Sequence, residues 1–240
     1  MQLFLWRALV PVLVLCLCGS GLLAQDVTLL TPAYQYSKQK TAYLTLKSGK
    51  EIVGNVKDFD RKRGVIDYIK IETENGKVLR LEASKIKSAY LHPTALSSMN
   101  SFFDDLAVQR WGKELHEERF TDGYVYLETV TIRLNKKKTQ QVLVQLLNPH
   151  FADGIRIYFD PFASKTAGIS VGPVKLAGGN AKSYYVMKEG ERAATYLHKS
   201  QYKKQFDKFF GDCSALASSG NPKWADLANH AYLYATECAR

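Results

Sequence analysis

The sequence predicts a mainly β protein of the α+β class, and three features of the chain lead to this prediction. Short segments with a two-residue hydrophobic period fill residues 41–91 and return at Tyr124. Gly, Asn and Pro separate these segments, as they do in antiparallel sheets. Residues 198–240 change to a helical period. We therefore expect an N-terminal small barrel, a second antiparallel β unit and a helical C-terminal segment.

These changes of pattern divide the chain into five predicted regions. They are a signal peptide (1–24), an SH3/Sm-like β-barrel (25–92), a helical linker (93–120), an antiparallel β unit (121–197) and C-terminal helices with a cysteine pair (198–240). The linker helix is expected between Thr94 and Trp111, where apolar residues recur at helical spacing.

The first region has the order of a secretory signal. Arg7 precedes an apolar core from Ala8 to Cys18, and small residues lead to Ala24. The core is short for a bilayer span of about 20 residues, which leaves an uncleaved anchor helix as the alternative. We expect an exported protein of the periplasm, the outer-membrane periphery or the extracellular space, with no transmembrane span in the mature chain.

Five short segments after the signal predict the barrel strands. They are TAYLTLK, EIVGNVKDF, VIDYIKIET, VLRLEA and KSAYL. Asn75-Gly76 separates the third from the fourth and is a strong hairpin signal. Ser84-Lys85-Ile86 allows one helical turn before the fifth. Five strands with such a turn are typical of SH3-like barrels.

The stretch from Leu46 to Ile71 resembles the first motif of the Sm/LSm family. Gly49, Gly54, Phe59 and Asp60 fall where that motif has Gly, Gly, Phe and Asp. The resemblance implies barrel geometry, with an RNA-binding loop completed by a second motif. That second position reads KIKSAYLHP here, so we expect nucleic acid not to be the partner. An Sm-like RNA-binding protein remains an alternative.

The second β unit begins with YVYLETVTIRL, the turn NKKK and TQQVLVQLL, which together predict a hairpin. Four further segments follow: GIRIYFD, ISVGPVKL, KSYYVMK and ERAATYL. The helical end starts with SQYKKQFDKFFGD, whose aromatic residues share one face. Asn221 and Pro222 are suited to begin the last helix.

Two cysteines remain after removal of the signal, Cys213 and Cys238. An even pair in an oxidising compartment predicts a disulfide. A catalytic thiol near His230 is the alternative. The segments FDKFFGDCSALA and AYLYATEC resemble the C-termini of uncharacterised exported proteins of Bacteroidetes-type bacteria. That resemblance implies export and a bridged helical end.

Catalytic motifs are incomplete in this sequence. Gly168 to Gly172 satisfies GxSxG, but Pro173 follows at once and the context is strand, unlike a nucleophile elbow. A secreted serine hydrolase that uses Ser170 with His150 or His198 is the alternative function. The five histidines show no metal-binding spacing, so no metal and no cofactor is expected. The densest polar group of the second unit is Asn148, His150, Asp153 and Asp160.

Charge gives the remaining indication of function. The chain has 33 basic and 23 acidic residues, a formal charge of +10, which favours contact with polyanions or envelope components. The candidate binding residues are those of two basic turns: Arg61, Lys62, Arg63, Lys136, Lys137 and Lys138. We predict an exported, non-catalytic binding or envelope-associated protein.

Overall fold

The computed structural model describes residues 27–94, 115–163, 181–217 and 220–239. Residues 1–24, which carry the predicted signal, lie outside these ranges. So do the Gly168 to Gly172 motif with Ser170 and nearly all of the predicted linker helix.

The first five strands lie where the alternating segments predict them. They are β1 (Thr41–Leu46), β2 (Glu51–Lys62), β3 (Val65–Thr73), β4 (Val78–Glu82) and β5 (Ile86–Leu91). A 3-10 turn, Ala83–Lys85, separates β4 from β5. Asn75 and Gly76 form the β3–β4 turn as predicted. Gly76 has a positive φ of 77°, and the Asn75 side chain accepts a bond from the Lys77 amide.

The remaining strands are β6 (Val125–Arg133), β7 (Thr139–Gln145), β8 (Ile155–Phe159), β9 (Ser183–Lys188) and β10 (Thr195–His198). β1 to β7 form an antiparallel sheet in the order β4-β3-β2-β1-β5-β6-β7, and β8 to β10 form a second sheet in the order β10-β9-β8. The predicted mainly β class is confirmed.

The first five strands do not close into a barrel of their own. β5 pairs with β6 over Ser88 to Leu91, so the sheet continues instead of ending, with β4 and β7 as its edges. The physical reason is that β6 is apolar on both faces. Val125 and Leu127 join the core inside β1 to β5, whereas Tyr126 and Val130 join a second core on the other face.

Two isolated bridges link the three-stranded sheet to the larger one. Leu146, just after β7, pairs with Tyr158 of β8. Ala194, just before β10, pairs in parallel with Ile132 of β6, through bonds of 2.9 and 2.8 Å. The buried Asn148 side chain orders the β7–β8 connection, because it bonds to the backbone of Phe151, Ile155 and Ile157.

These bridges align six tyrosines and one leucine in a row across both sheets. The row runs Tyr43, Tyr90, Tyr126, Leu146, Tyr158, Tyr185, Tyr196. Directly opposed residues on neighbouring strands share one face of a sheet, so the row is a single stripe. Its central members are buried, whereas Tyr196 at one end is 41% exposed.

The C-terminal segment contains α2 (Tyr202–Phe210) and α3 (Leu227–Leu233), which continues as a π-helical turn, Tyr234–Cys238. A short helix, α1 (Glu117–Thr121), precedes β6. α2 buries its aromatic face as predicted, against the core formed with β8 and β9. The last helical segment begins later than Pro222, at a 3-10 turn from Trp224, because Lys223 is extended.

The predicted disulfide between Cys213 and Cys238 is confirmed, with a Cα–Cα distance of 5.5 Å. It joins the end of the α2 region to the end of the π-helical turn. Across the described ranges, none of the helices combines the length and the apolar character needed to cross a bilayer.

Candidate functional site

The β6–β7 turn holds three lysines in an ordered, exposed position. The Asn135 side chain accepts bonds from the backbone amides of Lys137 and Lys138, each at 2.9 Å. The Leu134 amide donates to the Lys138 carbonyl at 2.9 Å, which closes the turn. Lys136, Lys137 and Lys138 are exposed and take part in no ion pair with the residues that the structure describes. Their ammonium groups are therefore available to a ligand.

The β2–β3 turn uses two of its three predicted binding residues internally. Arg61 donates to the Gly64 carbonyl at 3.3 Å and to the Tyr36 hydroxyl at 3.4 Å. Lys62 forms an ion pair with Asp67 at 2.8 Å, and this bond raises the pKa of Lys62. Arg63 has a φ of 55°, and its side chain has no ion pair within the described ranges.

Arg63 and Gly64 both have positive φ, as the two central residues of a tight hairpin turn do. Of the three basic residues predicted at this turn, the fold therefore leaves Arg63 for a ligand. The sequence could not separate it from its neighbours, because all three are alike in charge.

The residues at the start of the β2–β3 turn and just after the β6–β7 turn line one cavity. A cavity of about 230 Å³ separates the start of β3 from β7, with Lys62 on one wall and Gln140 on the other. Gln140 is the second residue of β7, which begins directly after the lysine turn, so the cavity reaches both the end of β2 and the start of β7. The cavity walls are mixed in charge, because Asp67 and Glu82 also line it.

Three further cations lie beside the lysine turn, although the sequence analysis did not select them. The Arg133 amide donates to the Ala194 carbonyl at 2.9 Å, which brings β6 next to Thr195. The Thr195 hydroxyl accepts a bond from Lys208 of α2 at 3.2 Å. Lys204 lies one helical turn before Lys208, on the same side of α2. We call the six residues Arg133, Lys136, Lys137, Lys138, Lys204 and Lys208 the basic face.

One signal in the sequence could have pointed to this surface. No acidic residue occurs from Thr129 to Ala152, or from Arg192 to Phe206. The positive charge of each stretch is therefore not offset by an acidic residue nearby in the sequence. Their proximity, however, depends on the single bridge between Ile132 and Ala194, which no local pattern predicts.

Three members of the predicted polar group, Asn148, His150 and Asp160, are buried, whereas Asp153 is half-buried. Asp160 accepts bonds from the Ser183 hydroxyl at 2.6 Å and from the Phe162 amide at 2.9 Å. His150 is 3% exposed, and burial lowers its pKa to about 4, so the ring is neutral at physiological pH. His198 contacts the Ser200 hydroxyl at 2.8 Å. Ser170, the predicted hydrolase nucleophile, lies outside the described residues.

A partly buried ion pair joins β6 to β8. Arg156 donates to both carboxylate oxygens of Glu128, at 2.7 and 2.9 Å, and Tyr158 donates to one of them at 2.8 Å. Burial and the neighbouring Glu128 charge raise the pKa of Tyr158 well above its ordinary value. Within the described ranges, no three His, Cys, Asp or Glu side chains are grouped to hold a metal ion.

Comparisons with protein-family models, with curated protein sequences and with solved structures return no match to this chain.

Proposed function

We propose that this protein is an exported, non-catalytic binding protein whose basic face holds an anionic polymer. The single observation that carries the proposal is the arrangement around the β6–β7 turn. Six cations from β6, the turn and α2 lie on neighbouring elements, and none of them forms an ion pair with another described residue. Like charges held together in this way attract a polyanion through their summed field.

Order in the turn strengthens the proposal. The Asn135 side chain fixes the backbone of Lys137 and Lys138. Because this backbone is already ordered, it loses little conformational entropy when a ligand binds. Lysine ammonium groups act as point charges, which suits irregularly spaced sulfate, carboxylate or phosphate groups along a polymer. Export, expected from residues 1–24, would bring this surface into contact with envelope and extracellular polyanions.

The test is retention on immobilised heparin, a sulfated polymer, across a salt gradient. The triple variant Lys136→Glu, Lys137→Glu and Lys138→Glu should elute at clearly lower salt than the wild type. The affinity of a protein for a polyanion falls as salt rises, and the slope of this fall is set by the number of polymer charges that the protein's cations neutralise. A variant with fewer such cations therefore elutes earlier in the gradient. Because the turn is exposed, the melting temperature of the triple variant should remain close to that of the wild type.

A matched control changes the same number of charges elsewhere. Lys38 and Lys40 precede β1 and Lys77 lies in the β3–β4 turn; all three are exposed and none belongs to the basic face. Their triple replacement by Glu should leave the elution salt near the wild-type value. Equal losses in the two variants would mean that net charge alone drives retention, and the proposal of a defined surface would then be abandoned.

A further inference from the structure

We infer that the anionic polymer is an acidic polysaccharide, and that Tyr196 is the aromatic ring against which one sugar ring packs. This inference rests on the proposed function and adds the class of ligand. Tyr196 is the last member of the tyrosine row and is 41% exposed, whereas Tyr158 and Tyr185 are 0% and 3% exposed. A buried aromatic stripe therefore ends in a ring that solvent can reach.

The fold places this ring beside the lysine turn. Ile132 pairs with Ala194 in a parallel bridge. Two residues further along each segment come Leu134 and Tyr196, and the turn with Lys136 begins directly after Leu134. On the other side of the β10 backbone, Thr195 contacts Lys208. Tyr196 is consequently placed beside the lysine turn, on the strand face opposite the one that carries Thr195 and Lys208, so the turn lysines are the cations that can share a ligand with it.

Neighbouring rings hold Tyr196 in a defined orientation. Tyr185 packs edge-on against it with ring centroids 5.6 Å apart. His198 lies nearly parallel to it, with ring centroids 6.3 Å apart and an interplanar angle of 23°. A ring that is already oriented loses little side-chain freedom when a ligand packs on it.

The combination of one such ring with several ammonium groups fits an acidic sugar. The C–H groups on the face of a pyranose ring carry a partial positive charge, and the face of an aromatic ring is negative. The sulfate or carboxylate groups of the same polymer can then pair with the lysines of the turn. A linear polyanion without rings could use the lysines but would gain nothing from Tyr196.

Single-stranded nucleic acid is the competing ring-bearing polyanion. Sites for it stack successive bases on several aromatic side chains. Among the described residues, Tyr34 and Tyr196 are the exposed aromatic residues, and Tyr34 packs edge-on against Phe159 rather than beside the lysine turn. A single exposed tyrosine beside the lysine turn therefore favours one stacked sugar over a series of stacked bases.

The experiment compares three probes on the full-length exported protein: heparin, inorganic polyphosphate and poly(U). Dissociation constants would be measured at one fixed salt concentration. Tyr196→Ala should weaken heparin binding about five-fold to ten-fold, the loss expected for one aromatic contact. Polyphosphate binding should not change, because that polymer has no ring. Tyr196→Phe keeps the ring and should bind heparin like the wild type.

Tyr196→Thr provides a second variant that suits a strand, in case the alanine variant unfolds. Equal heparin binding by the wild type and by folded Tyr196→Ala or Tyr196→Thr would overturn the inference while leaving the proposed function intact. Binding of poly(U) that is tighter than heparin and dependent on Tyr196 would overturn it in favour of single-stranded nucleic acid. Failure of the proposed function is distinct, because the lysine-turn variant would then bind both heparin and polyphosphate like the wild type.

Discussion

Gly54 lies in β2 so close to the backbone of β3 that a side chain cannot be accommodated. A Cβ atom at this position would collide with the Glu72 carbonyl oxygen and lie 2.8 Å from the Ile71 side chain. The sequence analysis noted Gly54 from its place in the Sm-like stretch. The structure gives the physical reason for a glycine there, which is the close approach of two paired strands.

We predict that Gly54→Ala destabilises the protein by about 2 to 3 kcal/mol, the cost of overpacking against backbone that cannot move aside. Urea unfolding at neutral pH would measure it. Val53→Ala is the matched control, because Val53 is 37% exposed and its truncation should cost about 0.5 kcal/mol. A Gly54→Ala protein as stable as the control would show that β2 and β3 can separate locally without cost.

Arg61 and Arg63 illustrate how neighbouring residues of one type acquire different roles. Arg61 contacts Tyr36 and Gly64, and its guanidinium lies 5.6 Å from the Phe59 ring centroid. Arg63 occupies the left-handed region at the tip of the turn. Sequence reasoning grouped them by charge, but the direction of each side chain depends on strand register and turn type.

At the scale of elements, β6 and β7 determine how the two halves of the molecule join. Consecutive residues of β6 enter different cores, as Tyr126 and Leu127 do. The same is true of β7, where Leu143 and Val144 face opposite ways. A strand with apolar residues on both faces must be covered twice, so these two strands lie between the two cores.

The disulfide links the residues after α2 to the end of the last helical segment. Cys213 and Cys238 close a loop with a sequence separation of 25, and Ala239 beyond it packs against Gly154 in the β7–β8 connection. Cross-linking a loop of this length restricts the unfolded chain and stabilises the folded one.

We predict that the double variant Cys213→Ser and Cys238→Ser loses about 3 to 4 kcal/mol of stability in the chain-entropy model. Thermal unfolding with and without a reducing agent would measure this loss. Reductant should lower the melting temperature of the wild type but leave that of the double variant unchanged. A wild type that is insensitive to reductant under denaturing conditions would contradict the prediction.

At the scale of the whole molecule, buried histidines link stability to pH. Burial lowers the pKa of His150 to about 4, and it also lowers the pKa of His230, whose ring contacts the Tyr202 hydroxyl at 2.6 Å. An unfolded histidine has a pKa of about 6.5. Between these values the unfolded chain binds more protons, so folding stability rises with pH.

We predict that stability is complete above about pH 6.5 and is lost as the pH falls toward 4, with His150 contributing about 3 kcal/mol of that loss. Urea midpoints measured from pH 7 to pH 4 would test this. His150→Leu should flatten the slope relative to that of the wild type. An identical slope in His150→Leu and wild type would exclude His150 as the source.

The sequence by itself determined the mainly β class, the strands β1 to β7 with their turns, the aromatic face of α2 and the cysteine pair. These features depend on short-range rules, namely hydrophobic period, turn chemistry and compartment. The strands, their turns and the aromatic face of α2 were predictable because each depends on a few consecutive residues, whereas the cysteine pair followed from the number of cysteines after residue 24.

The tertiary structure decided which strands connect the two β-sheets, which basic residues bond within the protein and which cations lie close together. Arg133 and Lys208 come together because one bridge pairs Ile132 with Ala194 and α2 packs on the neighbouring sheet. Lys62 is neutralised by Asp67 across a hairpin. Contacts between residues far apart in the chain are selected by packing of whole elements, and no local period in the sequence specifies that packing.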